Sequence, residues 1–180
     1  KARITKDDIQ NPAYERHIQL GWNYRMSDVV GAVALAQTER MEELCDMRKA
    51  SGKIIEAGAA GCDWLIPQYT PEECEHAYWA VAIRMANPDI TWYDFRKKFM
   101  ELGGDGIYAA WMLSYNEPMF RNKTFLGREK LFEGYTYEKG LCPVAEMIQP
   151  QLLQFKTNYF DTDEAEAQAE ILRKTIAYFG

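Results

Sequence analysis

Asn23, Tyr24 and Arg25 set an amide, a phenol and a guanidinium side by side, just before a run of small residues that opens at Ser27. Ser27 suits the N-cap of a helix and Asp28 its first turn. A helix start presents unpaired backbone N–H groups and the positive end of the helix dipole, so an anion is welcome there. Arg25 can hold a phosphate or carboxylate through two parallel hydrogen bonds, and Asn23 can donate a third. A capping loop without any ligand explains the same residues, since polar neighbours are common at helix starts.

Other chemistry-bearing residues are sparse. The two histidines are His17, in a polar segment ahead of this loop, and His76, ahead of an apolar alternation. Tyr108, Trp111 and Tyr115 form an aromatic series that can stack on sugars or bases, or simply pack a core. Gly103-Gly104-Asp105-Gly106 lacks the Lys-Ser/Thr of a phosphate loop and follows a helical pattern, so it reads as a helix stop and tight turn. The cysteines at 45, 62, 74 and 142 show no Cys-x-x-Cys spacing, which points to reduced thiols and no metal site.

The elements that must position these groups follow from apolar spacing. Residues 1–20 are polar and interrupted by Asn11-Pro12, which predicts an extended lead-in. Residues 29–36 are apolar almost all round, which predicts a helix buried on most faces. Val30, Val33, Met41 and Leu44 continue as a stripe, and a second helical stretch ends near Gly58 and Gly61. Trp79, Val81, Ile83 and Met85 alternate as one face of a strand over 77–85. Thr91 and Asp94 have capping-box spacing before the Phe95, Phe99, Leu102 stripe, and Gly103-Gly104 ends that helix. A strand over 106–111, an irregular stretch over 112–140 and a short helix between Pro143 and Pro150 follow. A last short strand spans 152–155. Asp161 then caps a final helix whose stripe is Ala165, Ala169, Leu172, Ile176 and Phe179. Helices and short strands mix without regular alternation, which predicts an α+β fold with a small, mostly antiparallel sheet covered by helices.

The 180 residues fit one domain, and 47% hydrophobic with 13% aromatic residues supports a packed core. A net charge of −6 argues against a nucleic-acid partner, and no apolar run approaches the roughly 20 residues of a membrane span. Reduced thiols and the lack of a leader pattern predict a cytoplasmic protein.

Several blocks in order resemble the C-terminal part of the DegT/DnrJ-type sugar aminotransferases. They are Asn23-Tyr24-Arg25-Met26, the small-residue helix through Gln37, and Arg48. His76-Ala77-Tyr78-Trp79, Gly103 to Tyr108, Cys142-Pro143-Val144-Ala145-Glu146 and the closing helix follow. The resemblance implies the C-terminal domain of the aspartate-aminotransferase fold (fold type I), with pyridoxal 5'-phosphate as cofactor and a homodimer as the working form. It implies transfer of an amino group from glutamate to a keto nucleotide-sugar, in polysaccharide or lipopolysaccharide biosynthesis. On this resemblance, residues 1–26 are a lead-in and cofactor-phosphate loop, and 27–180 the small C-terminal domain. Asn23 binds the cofactor phosphate of the neighbouring subunit, with Arg25 beside it. His17, Tyr24, Tyr108, Trp111 and Tyr115 border the substrate. The histidine-rich stretch many members carry near 108–115 is replaced here by aromatics, which leaves the sugar and nucleotide open. The resemblance begins after the family's covalent cofactor lysine, and none of the eleven lysines sits in such a motif. No catalytic residue is therefore expected in this chain, which resembles the second half of an enzyme. A non-catalytic dimerisation or sugar-binding module of the same fold is the alternative.

Overall fold

The computed structural model describes residues 5–15 and 26–180. In chain order the helices are α1 (Lys6–Gln10), α2 (Asp28–Glu39), α3 (Met41–Gly58), α4 (Trp92–Glu101), α5 (Pro118–Arg121), α6 (Pro143–Ile148) and α7 (Thr162–Phe179). The strands are β1 (Leu65–Pro67), β2 (Ala80–Met85), β3 (Tyr108–Ala109) and β4 (Leu152–Lys156), with short 3-10 turns at 114–116, 129–132 and 149–151. The chain divides into two units, Arg25–Ile107 with Leu152–Gly180, and Lys1–Tyr24 with Tyr108–Gln151.

In the first unit, β2 pairs antiparallel with both β1 and β4. The register sets Val81 opposite Phe155, Ile83 opposite Leu153 and Leu65 opposite Met85, so these buried residues share one face. Burial alternates strictly along β2 and β4, the mark of a sheet covered on one side. Phe95 and Phe99 of α4, Ile55 of α3, and Ala165, Ala169 and Leu172 of α7 complete that core. Each large side chain buried there stabilises by about 1.5–3 kcal/mol. Small residues let α3 and α7 approach closely: a Cβ on Gly58 would lie 3.1 Å from Ala169 Cα. The caps read from the sequence form as expected, with Thr91 Oγ1 accepting from Asp94 N–H and Asp161 accepting from Asp163 N–H.

Four expectations fail. Trp79 is 72% exposed instead of sharing the face of Val81 and Ile83. Tyr78 adopts a left-handed backbone (φ 51°), which breaks the alternation just before β2 begins. Its buried ring lies where a Cβ on Gly52 would fall, 2.3 Å from Cδ1, so that glycine makes room for it. Residues 29–36 do form a helix, yet α2 buries nothing among the described residues, with Val29 77%, Val33 61% and Leu35 61% exposed. The lead-in contains α1, because Thr5 and Asp8 close a reciprocal capping box there. The strand over 106–111 shrinks to β3, because the Ala110 and Trp111 carbonyls accept from the Gln149 side chain, at 3.1 and 3.3 Å.

The second unit is mostly turns and short helices, organised by aromatics and by carboxylates that cap backbone. Phe125 lies 4.2 Å from Phe132 and 5.9 Å from Phe120 between ring centroids, and Tyr137 joins Phe120 at 5.2 Å. Glu129 accepts from the Phe125 and Gly127 N–H groups at 3.1 Å each.

The α4 end is tight. A Cβ on Gly104 would lie 2.1 Å from the Phe99 ring and 2.7 Å from its carbonyl oxygen, while Gly104 N–H donates to that carbonyl at 2.9 Å. Gly104→Ala is expected to destabilise by about 1–3 kcal/mol through overpacking, read as a lower denaturation midpoint with unchanged m-value.

Candidate functional site

The helix start predicted at Ser27 is present. Ser27 is the N-cap of α2, its Oγ accepts from Val30 N–H at 3.4 Å, and Asp28 opens the first turn. The loop that leads into it carries His17, Asn23, Tyr24 and Arg25, which lie outside the described residues.

The aromatic series is described in full. Tyr108 is half-buried in β3, Trp111 is 54% exposed, and Tyr115 lies in the 3-10 turn at 114–116. Trp111 stands on backbone held by the two Gln149 hydrogen bonds. It joins Met112, Ser114, Glu117, Met119 and Phe120 around a recess of about 210 Å³. Glu117 is only 3% exposed there. Tyr108 and Tyr115 do not line this recess, so the structure separates the three aromatics that the sequence grouped.

Tyr115 is engaged elsewhere. Its hydroxyl donates to Glu146 Oε1, and the same carboxylate accepts from Gly140 N–H at 2.7 and 2.9 Å. Burial, then the hydrogen bond to Glu146 and its negative charge, push the Tyr115 phenol up to about 12. The Tyr115 hydrogen bond, with the N–H of Gly140 behind it, holds Glu146 below the ordinary carboxylate range. With its proton committed to Glu146, Tyr115 offers other groups a lone pair and no donor. Sequence reasoning missed Glu146, Glu117 and Gln149. Glu146 carried one signal, its place in the first turn after Pro143.

Two other sequence motifs turn out to be fasteners. His76 Nδ1 accepts from Tyr78 N–H at 2.7 Å, and Tyr78 donates from its hydroxyl to Glu56 at 2.8 Å. Thr157 Oγ1 donates to the Tyr78 carbonyl at 2.5 Å, while Arg48 donates to Thr157 Oγ1 and to the Trp79 carbonyl at 3.2 Å each. In the glycine-rich turn, Asp105 accepts from Tyr159 OH at 3.0 Å and pairs with Lys156, while its N–H donates to Gln168 Oε1 at 3.0 Å. Burial first, and then Asp105, drive the Tyr159 phenol far above its usual range.

The described lysines with ion-pair partners include Lys49 with Glu75, Lys98 with Glu101 and Lys156 with Asp105. Among the described residues no group of three His, Cys, Asp or Glu side chains is placed to hold a metal. No described helix is long and apolar enough to cross a membrane.

The sequence pattern of the DegT/DnrJ/EryC1/StrS aminotransferase family matches residues 4–171. Among solved structures, the sugar aminotransferase CalS13 from Micromonospora echinospora is similar over 85% of this chain and 37% of its own, with TM-score 0.64 and 14% identity. 3-Amino-5-hydroxybenzoic acid (AHBA) synthase is similar over 95% of this chain and 45% of its own, with TM-score 0.63 and 16% identity. The likeness bears out the α+β, fold-type-I expectation, and the chain spans less than half the length of either structure. No curated protein matches at the sequence level.

The Tyr115–Glu146 bond makes a titration test. The raised Tyr115 value means its contribution to stability is present below the ordinary phenol range and lost as pH climbs through about 12. The depressed Glu146 value means its contribution is present above the ordinary carboxylate range and lost as pH falls through the lowered value. Glu146→Gln is expected to bring the Tyr115 midpoint down part of the way from about 12, since burial persists. The check is tyrosinate absorbance, taken as a difference against Tyr115→Phe.

Proposed function

Because this chain belongs to the DegT/DnrJ/EryC1/StrS aminotransferase family, whose members depend on pyridoxal phosphate, we propose that it is the C-terminal portion of a sugar aminotransferase. The parent enzyme would pass an amino group from glutamate to a keto nucleotide-sugar, in the cytoplasm, for polysaccharide or lipopolysaccharide biosynthesis. The observation that carries this reading is the family match over 4–171, which includes the Asn23-Tyr24-Arg25 loop running into the start of α2.

The donor set fits the cofactor's phosphate. Asn23 supplies an amide N–H and Arg25 a guanidinium fork, next to a helix start whose N–H groups face away from the helix. In a homodimer this loop would serve the neighbouring subunit's cofactor, holding its phosphate without reorganisation. When bound, pyridoxal phosphate supplies the electron sink that lets an amino group move between carbon skeletons. The covalent lysine would come from an N-terminal domain, and the residues of this chain would bind and orient.

His17, Tyr24, Tyr108, Trp111 and Tyr115 are the proposed substrate contacts. Trp111 offers an exposed ring for stacking against a sugar or base. Tyr115, its proton taken by Glu146, accepts a hydrogen bond from a substrate hydroxyl. The recess beside Trp111 is smaller than the roughly 300–1,000 Å³ of sites for drug-sized ligands, so it suits one ring of the substrate.

Asn23→Ala in the full-length polypeptide is expected to weaken pyridoxal phosphate binding about 10- to 100-fold, the worth of one hydrogen bond to a charged group. Equilibrium dialysis against the free cofactor measures it. An unchanged affinity overturns the assignment of Asn23, and a full-length protein that never binds the cofactor overturns the aminotransferase reading.

A further inference from the structure

The hydrogen bond between Tyr115 and Glu146 runs in one direction only, and that direction limits what Tyr115 can bind. Glu146 is ionised: the Tyr115 hydroxyl, the N–H groups of Gly140 and Cys142 and the charge of Lys139 outweigh its partial burial. An ionised carboxylate has no proton to give, so the phenol is the donor of the pair. The Gly140 N–H, at 2.7 and 2.9 Å from the two carboxylate oxygens, ties that acceptor in place. Tyr115 is half-buried, and the proton a phenol would otherwise lend to a ligand is held by Glu146. It offers oxygen lone pairs alone.

Resting on the sugar-aminotransferase reading and on Tyr115 touching the substrate, we propose that the Tyr115–Glu146 pair is a donor-selecting subsite. It takes a hydroxyl or amino group of the sugar ring and turns away a group that only accepts, such as a keto oxygen. The carbon to be aminated carries a keto oxygen, and at Tyr115 its lone pairs would face those of the phenol. The reacting carbonyl therefore lies elsewhere on the ring, and Tyr115 reads a hydroxyl that the reaction leaves intact. Tyr115 neither protonates that carbonyl nor polarises it, because its own proton is on the bond to Glu146. Glu146 is a positioning residue that acts through the phenol. The ring face of Trp111 cannot supply this selectivity, since stacking holds hydroxylated and keto sugars alike.

Ligand binding to the full-length polypeptide tests this. The probes are UDP-, dTDP-, GDP- and CDP-glucose, then analogues of the tightest binder in which one ring hydroxyl at a time becomes amino or fluoro. An amino group still donates, whereas fluorine only accepts. At the hydroxyl facing Tyr115, the fluoro analogue is expected to bind about 3- to 10-fold more weakly than its parent, the worth of one neutral hydrogen bond. The amino analogue keeps its affinity there. Tyr115→Phe should abolish the difference, and Glu146→Ala should cut it below about twofold by freeing the phenol proton to meet fluorine. A purely structural Glu146 would instead weaken every analogue alike. The opposite preference, fluoro retained and amino rejected, overturns the proposal, as does a series in which Tyr115→Phe alters no relative affinity. Should Glu146→Ala fail to fold, the Tyr115→Phe comparison, which leaves Glu146 bonded to Gly140, decides alone. A protein that binds pyridoxal phosphate but none of the four nucleotide-sugars overturns the nucleotide-sugar reading and this inference with it. Nucleotide-sugar binding without any Tyr115-dependent preference overturns this inference alone.

Discussion

The antiparallel pairing of β2 with β4 is the constraint on which the first unit depends. It joins residues 80–84 to residues 152–156 and so closes a loop of about 70 residues, a separation that costs chain entropy before any contact is gained. The gain comes from the face that the register creates, where Val81 meets Phe155 and Ile83 meets Leu153 under α3, α4 and α7. A one-residue slip would turn every one of these side chains outward. The slip is blocked at the end of the ladder, where Thr157 bonds the Tyr78 carbonyl and Arg48 bonds both Thr157 and the Trp79 carbonyl. The buried polar groups there satisfy one another, which is what allows Thr157 to be fully buried.

Much of this unit was legible because local signals agreed with tertiary demands. Thr91 with Asp94 and Asp161 mark helix starts whatever packs above them, and alternation in Val81, Ile83 and Met85 follows from one covered face. Two of the failures, at Trp79 and in the strand over 106–111, sit where a non-local contact overrides the local pattern. Tyr78 takes a left-handed backbone that no tyrosine prefers, and the shift it causes in Trp79 depends on Gly52, Glu56 and Thr157, all distant in sequence. The apolar run at 29–36 stated correctly that a helix forms there. Its expectation of burial on most faces is not met, because α2 has no buried residue among the described ones. At the site, the helix start at Ser27 was legible from capping chemistry, whereas the role of Asn23 came from resemblance, since an amide before a helix has many local uses. The partners of Glu146 and Gln149 were not legible, because Tyr115 and the carbonyls of residues 110–111 lie about 30 to 40 positions away.

The two units are ordered by different physics, and that difference bears on function. The first unit is held by an apolar face and a strand ladder, terms that change little with pH or with single surface substitutions. The second has little regular ladder and relies on side chains that bond backbone: Glu129 on two N–H groups, Glu146 on Gly140, and Gln149 on two carbonyls. Each such group fixes a loop segment that would otherwise be free, and each is lost by a single substitution. Trp111 and Tyr115, two of the proposed substrate contacts, are both set by bonds of this kind. Loops that are individually fastened can change their side chains without disturbing a shared core, so ligand specificity is free to vary there while the sheet unit keeps its packing.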